Sequence, residues 1–353
     1  MVAASLELFG GQSVQAAALA ERLRAEGYAV DWIPINPRFP KPLRWLRRIP
    51  YLRTLANALL YLPSLAGLRK ADVVHVFSAS YFSFLLGPAP ALLAARLMGK
   101  RVILNYHSGE AEDHLARWGL LVHPWLKLAH EIVVPSQFLC EVFARFGYAT
   151  RVIANIIDTS AFDFRERSPL RPRLLSTRNL ESHYRVEVVV RAFALIKKRY
   201  PEATLLVAGY GSEEQNLRRL VKELETEGVT FYGRYLPSTA PRLYANADIF
   251  VNASVIDNQP VSVLEAFASG LPIVSTATGD IGAMLEGGRL GIIVPPDDPE
   301  AMAGAVETLI ENQRQSMHMA RQAYRSLKRF SWEQVRDDWS EVYGGQLRKG
   351  AVS

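Results

Sequence analysis

The chain has 353 residues, of which 49% are apolar, and it carries a formal net charge of +6. This length predicts two domains of ordinary size, and the composition excludes a disordered or fibrous protein. The single cysteine, Cys140, excludes an internal disulfide and a cysteine-based metal cluster, and the N-terminus lacks the pattern of a signal peptide. We therefore expect a cytoplasmic location.

Short apolar runs alternate with amphipathic helical stretches, which indicates βα units around parallel sheets. After a weak strand at 2–9, the strands are predicted in two groups of five. They are 29–35, 72–77, 101–106, 131–135 and 150–153, then 172–177, 204–208, 229–232, 248–252 and 272–275. The longest uncharged run, 73–95, contains His75 and Gly87-Pro88, so we predict a strand, a turn and a helix there rather than a membrane span.

The polar, non-periodic stretch 158–173 predicts a linker between two doubly wound domains, 1–160 and 170–330. In the tail, Trp332, Trp339 and Tyr343 recur at helical spacing, which predicts a packed helix. Ligands of open α/β sheets bind beyond the carboxyl ends of the strands, so the residues that directly follow strands are candidate site residues.

Two candidates belong to the first domain. Gly10-Gly11 precedes a helical stretch at 14–26, where backbone N–H groups can approach an anion, although an ordinary tight turn explains the pair equally well. His107 follows the strand 101–106, where its imidazole either donates to a substrate hydroxyl or phosphate or satisfies a loop carbonyl.

Three further candidates belong to the second domain. Arg178 follows the strand 172–177, where a guanidinium either clamps a diphosphate or remains solvated, and Arg185 would add a second positive charge. Gly209 begins a Gly-x-Gly pattern that fits a nucleotide loop and a plain turn equally.

The strongest local feature is the block 252–272, in which Asp257 lies in a predicted loop and Glu265 in the first turn of a helix. One acid can reach a sugar while the other binds two ribose hydroxyls, and helix N–H groups between them face a phosphate. The intervening residues are Asn258, Gln259, Pro260, Val261 and Ser262. Ser262 and Glu265 also match a capping box, in which Glu265 only closes the helix N-terminus.

No phosphate loop of the Gly-x4-Gly-Lys type, Gly-x-Ser-x-Gly elbow or His-Glu-x-x-His pair occurs in the sequence. Asp297-Asp298 lies in a Pro-rich turn, which we interpret as solvated rather than as a metal site. We expect neither a metal nor another cofactor.

Together these residues resemble a family 4 glycosyltransferase of the GT-B fold, from Gly10 to about Tyr343. In that fold two Rossmann-like domains face each other across a cleft, and a C-terminal helix, here 331–353, crosses back to the first domain. The landmarks in order are Gly10-Gly11, the strand at 72–75, His107, Val134-Pro135-Ser136, Asn155-x-x-Asp158, Arg178 and the block from Asp257 to Pro272.

The resemblance implies a metal-independent, retaining hexosyltransferase that uses a nucleotide diphosphate sugar, with the acceptor on the first domain and the donor on the second. It assigns the ribose to Glu265 and the donor sugar to Asp257. It assigns the diphosphate to Arg178, to the Gly10-Gly11 backbone and to the N–H groups of 260–262. His107 would line the pocket near the sugar and the acceptor.

The sequence departs from the family pattern in three places, one of which is the loss of the glycine that normally follows the asparagine, here Asn155. The first acid is normally Glu, and the usual Lys-Gly is replaced by Tyr184-Arg185, so that Arg185 would supply the second cation. These departures favour an alternative, a degenerate GT-B protein that acts as a non-catalytic partner or a membrane-binding subunit. An epimerase or hydrolase with the same donor pocket is a third interpretation.

Residues 36–70 contain eight basic residues and no acidic one, interleaved with aromatic residues and leucines. This pattern predicts contact with an anionic membrane surface at the inner face, and a lipid-linked or membrane-proximal acceptor. Helices packed on the first domain with a solvated basic face are the alternative. No nucleic-acid-binding module is recognisable, so we expect no nucleic-acid partner.

Overall fold

The computed structural model describes residues 1–5, 11–42, 45 and 49–344. The chain divides into two compact units, of which the first contains residues 1–156 and the C-terminal segment from Trp332, and the second contains Ile157–Ser331. Each unit contains a six-stranded sheet in which all neighbouring strands are parallel. The expected α/β class with two doubly wound domains is confirmed.

The first sheet has the strand order β2-β1-β3-β4-β5-β6. Its strands are β1 (Val2–Ala3), β2 (Ile33–Pro34), β3 (Val73–Ser78), β4 (Arg101–Tyr106), β5 (Glu131–Val134) and β6 (Arg151–Val152). Its helices are α1 (Gly11–Ala25), α2 (Pro50–Ser64), α3 (Tyr81–Leu86), α4 (Pro88–Leu97), α5 (Ala111–Leu126), α6 (Gln137–Arg145) and α14 (Trp332–Val342). The predicted strand 2–9 is described only as far as residue 5, since residues 6–10 lie outside the described part.

The central strands β3 and β4 are buried along nearly their whole length because helices cover both faces of the sheet. The uncharged run 73–95 forms β3, α3 and most of α4, as a strand and helices separated at Gly87. Pro88 suits the first position of α4, where an N–H would have no intrahelical partner. None of the described helices is long and apolar enough to span a membrane.

The C-terminal helix α14 packs in the first unit, as its aromatic spacing predicts. Trp332 and Trp339 are buried in one apolar cluster with Phe77 of β3. Beyond the helix, the hydroxyl of Tyr343 lies 2.9 Å from Nδ1 of His75, which is buried in β3. The tail therefore completes the core of the first sheet.

The second sheet has the order β12-β11-β10-β7-β8-β9. Its strands are β7 (Arg173–Ser176), β8 (Thr204–Ala208), β9 (Val229–Gly233), β10 (Ile249–Asn252), β11 (Ile273–Ser275) and β12 (Ile292–Ile293). Its helices are α7 (Val186–Arg199), α8 (Glu214–Glu223), α9 (Ala240–Ala245), α10 (Val261–Ala268), α11 (Ile281–Met284), α12 (Pro299–Glu311) and α13 (Gln313–Ser326). The two-residue β12 was not predicted from the sequence. The strand order reverses between β7 and β10, and such reversals form binding crevices.

Most of the predicted linker 158–173 is exposed and irregular, and the stretch belongs to the second unit, whose boundary lies after Ile156. Arg167 has a fully buried side chain, and its guanidinium lies 3.6 Å from the buried carboxylate of Asp248. It also donates to four backbone carbonyl oxygens, those of Arg165, Tyr244, Ala247 and Ser269. Arg167 is thus a buried charge within a largely exposed segment, since its guanidinium satisfies several buried acceptors.

We predict that Arg167→Leu lowers the free energy of unfolding by about 2–4 kcal/mol, because it leaves several buried carbonyl oxygens without their donor, while Asp248 keeps its pair with Arg173. Urea denaturation of the full chain measures the change. Arg321→Ala is the control, since it removes an exposed guanidinium that pairs with Glu166, and no measurable change is expected. A loss below about 1 kcal/mol for Arg167→Leu would contradict this account of the segment.

Candidate functional site

Arg178 lies two residues beyond β7, at the carboxyl edge of the second sheet where the strand order reverses. The residue is 9% exposed. Its Nη1 donates to Oγ of Ser262 at 2.9 Å, and its Nη2 pairs with Oδ2 of Asp257 at 2.5 Å. Arg178 is therefore an internal charge that joins the loop after β7 to the loop after β10, and it is not a solvated loop residue.

The third nitrogen of the Arg178 guanidinium, Nε, has a different environment from the two Nη atoms. The guanidinium carbon lies 4.3 Å from the centroid of the Tyr184 ring, so one face of the guanidinium is covered by an aromatic surface. Among the described residues, no acceptor pairs with its buried Nε. A buried cationic donor without an acceptor calls for an explanation, and an anionic ligand supplies one.

The loop that carries Asp257 is held in place by the loop after β11. The hydroxyls of Thr276 and Thr278 both donate to the carbonyl of Ser254, at 2.6 and 2.7 Å. Gly279 has φ +60°, and a Cβ there would lie 2.4 Å from the carbonyl oxygen of Asp257. This close approach requires glycine and positions the carboxylate of Asp257.

Asn258 and Gln259 are buried and belong to the same clamp. The backbone N–H of Asp280 donates to the carbonyl of Asn258, and the Gln259 amide donates to the Asp280 carboxylate at 3.1 Å. The Asn258 carbonyl and the Gln259 side chain therefore stabilise the loop that carries Asp257.

Helix α10 begins at Val261, directly after the loop, with Pro260 as its N-cap residue. Its positive dipole end therefore lies beside Arg178, whose guanidinium contacts Ser262. The capping box suggested by Ser262 and Glu265 is not formed, because the Ser262 hydroxyl accepts from Arg178 and the helix shows no side-chain cap. Glu265 is consequently available for another role.

Glu265 is held by a tyrosine rather than by the helix terminus. The hydroxyl of Tyr244 donates to its Oε2 at 2.7 Å. Burial raises the pKa of Glu265 to about 7, against the lowering effects of the Tyr244 hydrogen bond and the positive charge of Arg178. The carboxyl group thus titrates in the physiological range.

Arg185 and Gly209 contact neighbouring groups of the second unit. The guanidinium of Arg185 pairs with the carboxylates of Glu187 and Asp297, at 3.3 and 3.1 Å. At Gly209 a Cβ would lie 2.0 Å from the carbonyl oxygen of Arg178. Gly209 therefore allows the loops after β7 and β8 to pack together.

The first-unit candidates lie at the edge of the other sheet. His107 directly follows β4, and its ring stacks on Phe77 with centroids 5.4 Å apart. Burial lowers the pKa of His107 to about 4, so its imidazole is neutral near pH 7. Gly11 is the first residue of α1, and Gly10 lies outside the described residues.

Three side chains around Glu265 were not predicted from the sequence. Tyr244 gives no periodic signal, because it lies on the six-residue helix α9. Tyr235 lies in the turn after β9. Thr177 contacts the Tyr244 hydroxyl at 2.7 Å. Only Thr177 had a sequence signal, since it precedes Arg178 at the end of a predicted strand. In the described part of the chain, no group of three or more His, Cys, Asp or Glu is arranged to hold a metal ion.

Two family models match this chain. The Glycosyltransferase Family 4 model matches residues 9–161, and the Glycosyl transferases group 1 model matches residues 171–312. Glycogen synthase of Mycobacterium tuberculosis (strain CDC 1551 / Oshkosh) is 25% identical over 290 residues, which cover 78% of this chain and 69% of the relative.

Solved structures show the same fold. Sucrose-phosphate synthase from Thermosynechococcus elongatus matches with a TM-score of 0.75 and 20% identity, over 97% of this chain and 94% of that chain. A mutant of S. aureus TarM in complex with fondaparinux, α-GlcNAc-glycerol and UDP matches with a TM-score of 0.69 and 15% identity, over 82% of this chain. The match spans 59% of the TarM chain. Since both units of this chain match and the architecture is shared, the chain belongs to the family 4 and group 1 glycosyltransferases of the GT-B fold.

Proposed function

We propose that this chain transfers a hexosyl group from a nucleoside diphosphate sugar to a hydroxyl acceptor, with retention at the anomeric carbon and without a metal ion. The observation that carries the proposal is the buried guanidinium of Arg178, whose Nε has no acceptor among the described residues and which adjoins the N-terminus of α10. This arrangement suits a diphosphate, because cationic and N–H donors converge at one sheet edge.

In this proposal the donor occupies the edge of the second sheet. The diphosphate accepts from Nε of Arg178 and from the backbone N–H groups of Val261 and Ser262, and the ribose hydroxyls donate to the carboxylate of Glu265. The bound UDP in the TarM structure makes UDP the first nucleotide to test. Asp257 still has acceptor capacity for a sugar hydroxyl, because each carboxylate oxygen accepts more than one hydrogen bond.

The proposed reaction is a same-face substitution. The acceptor oxygen bonds to the anomeric carbon on the face from which the diphosphate leaves, and the bond from that carbon to the phosphate oxygen breaks. The acceptor proton passes to the leaving phosphate oxygen. The protein contributes position and charge: Arg178 and the start of α10 stabilise the negative charge that develops on the diphosphate.

The acceptor belongs to the carboxyl edge of the first sheet in this proposal. His107 is neutral near pH 7 and adjoins the end of β4, so it can donate to or accept from a hydroxyl there.

We predict that Arg178→Lys weakens UDP binding by about 10- to 100-fold, because an ammonium cannot satisfy Ser262, Asp257 and a phosphate in one plane. Isothermal titration calorimetry measures the affinity. Arg321→Lys is the control, since it keeps an exposed charge remote from this edge, and its affinity should match the unaltered protein. Unchanged binding by Arg178→Lys would overturn the diphosphate assignment.

The raised pKa of Glu265 predicts a pH dependence of nucleotide affinity. The carboxylate accepts ribose hydroxyls, so affinity should fall as the pH drops through about 7, where the group becomes protonated. The terminal phosphate of UDP itself titrates near pH 6. The readout is therefore the difference between the unaltered protein and Glu265→Gln, and identical pH profiles would contradict a role of this carboxylate in binding.

Product analysis distinguishes transfer from the other functions of the same fold. Labelled UDP-sugars with a panel of acceptors should yield a new glycoside. Release of free sugar alone would indicate a hydrolase, conversion of the donor into another sugar an epimerase, and binding without turnover a non-catalytic GT-B protein.

A membrane-proximal acceptor is part of the proposal, and helix α2 supports it. Its inward residues Ala56 and Tyr61 are buried, whereas large apolar side chains at helical spacing remain exposed. These are Tyr51 at 89%, Leu55 at 58%, Leu59 at 66% and Leu62 at 49% exposure. An apolar stripe of this length open to water is typical of a surface that binds something.

The charge around α2 favours an anionic bilayer as that partner. No acidic residue occurs in 36–70, while the basic residues Arg38, Lys41, Arg53, Arg69 and Lys70 lie in the described part. Arg44, Arg47 and Arg48 lie outside it. Apolar insertion and attraction to anionic headgroups then act together, at about 1 kcal/mol for each nearby cation. These features support our proposal that the enzyme acts at the inner face of a membrane, close to a lipid-linked acceptor.

We predict that the double variant Leu55→Glu/Leu59→Glu binds anionic phosphatidylglycerol vesicles at least about tenfold more weakly, because two inserted side chains become anionic. Vesicle co-sedimentation at moderate salt measures the binding. Leu236→Glu is the matched control, since it changes an exposed leucine of the second unit. Equal binding by the double variant and the unaltered protein would exclude α2 as the membrane contact.

A further inference from the structure

The buried carboxyl group of Glu265 depends on one neighbour, Tyr244. Tyr244 lies on α9 with its side chain fully buried, and its hydroxyl contacts groups from three parts of the second unit. These are Oε2 of Glu265 at 2.7 Å, Oγ1 of Thr177 at 2.7 Å and the carbonyl oxygen of Ser262 at 3.2 Å. The tyrosine therefore joins the end of β7, the start of α10 and the acid on that helix.

The single hydroxyl proton of Tyr244 is directed to Glu265. The carboxylate is both the nearer acceptor and the charged one, and charged acceptors form the stronger hydrogen bonds. Thr177 then donates its own proton to the tyrosine oxygen. Burial raises the pKa of Tyr244 well above its ordinary value, so the hydroxyl keeps its proton throughout the neutral range.

Three side chains on different elements act electrostatically on Glu265. They are Tyr244 on α9, Tyr235 after β9 and Arg178 after β7. Arg178 directs its two Nη atoms to Asp257 and Ser262, and Tyr235 hydrogen-bonds to Thr177. Among the described residues, Tyr244 is thus the one side chain that donates a hydrogen bond to Glu265.

We propose that Tyr244 is a positioning residue for the donor site: its hydroxyl orients the Glu265 carboxylate so that Glu265 can accept the two ribose hydroxyls. The ribose part of this inference rests on the proposed function. The positioning part concerns the free protein and is tested without a ligand.

The first measurement is the titration of the Glu265 carboxyl carbon by NMR in protein labelled with 13C-glutamate. The signal is assigned by its loss in Glu265→Gln. In Tyr244→Phe the midpoint should rise by about one pH unit, because the carboxylate loses its hydrogen-bond donor. An unchanged midpoint would overturn the inference.

The second measurement is the affinity for UDP at neutral pH and at alkaline pH. Tyr244→Phe should bind about tenfold more weakly at neutral pH and recover part of that loss at alkaline pH, where Glu265 ionises again. A loss of equal size at every pH would indicate a purely structural role and overturn the inference. If the unaltered protein binds no UDP while the NMR midpoint shifts, the proposed function fails and the positioning role stands.

Two further variants distinguish the loss of the Tyr244 hydrogen bond from a folding defect. Tyr61→Phe removes another buried tyrosine hydroxyl, which donates to the carbonyl of Gly87 in the first unit, and it should leave the Glu265 titration unchanged. Thr177→Val keeps Tyr244 and removes the hydrogen bond that directs its proton. It should raise the Glu265 midpoint in the same direction by a smaller amount, and no shift in Thr177→Val together with a misfolded Tyr244→Phe would overturn the inference.

Discussion

A buried guanidinium requires a balancing negative charge and hydrogen-bond acceptors. Arg178 is such a group, and it lies at the carboxyl edge of the second sheet. Asp257 balances its charge, Ser262 accepts from a second nitrogen, and the ring of Tyr184 covers one face. These partners come from separate loops, so the guanidinium sets the distance between them. The remaining Nε has no acceptor among the described residues, so this edge still offers a buried cationic donor.

The two acids of the block 252–272 have different environments, and this difference separates their roles. Asp257 pairs with Arg178 in a loop clamped from the loop after β11. Glu265 has only a tyrosine hydroxyl as its hydrogen-bond donor among the described residues, and burial brings its pKa to about 7. One acid therefore pairs directly with the cation, and the other changes charge near neutrality.

The sequence was sufficient to locate Arg178, Asp257 and Glu265, because each follows an apolar run that had to be a strand or a strand-to-helix loop. It could not show what those side chains contact. Ser262 and Glu265 match a capping box by spacing, yet the cap is not formed. Instead, Arg178, which lies 84 positions away in sequence, donates a hydrogen bond to the serine hydroxyl. Tyr244 was not predicted for the same reason, because its role depends on hydrogen bonds to Thr177 and Glu265, which are distant in sequence.

The polarity of a single residue did not always predict its exposure. Arg167 lies in a stretch without periodicity, but it is fully buried because several carbonyls and Asp248 converge on it. Conversely, Tyr51 and Leu59 are apolar and exposed, a pattern that α2 shares with surface-binding helices.

A crystal structure of the chain with UDP tests the central claim most directly. The account predicts the diphosphate on Nε of Arg178 and the start of α10, with the ribose on Glu265, whereas UDP bound elsewhere would contradict it.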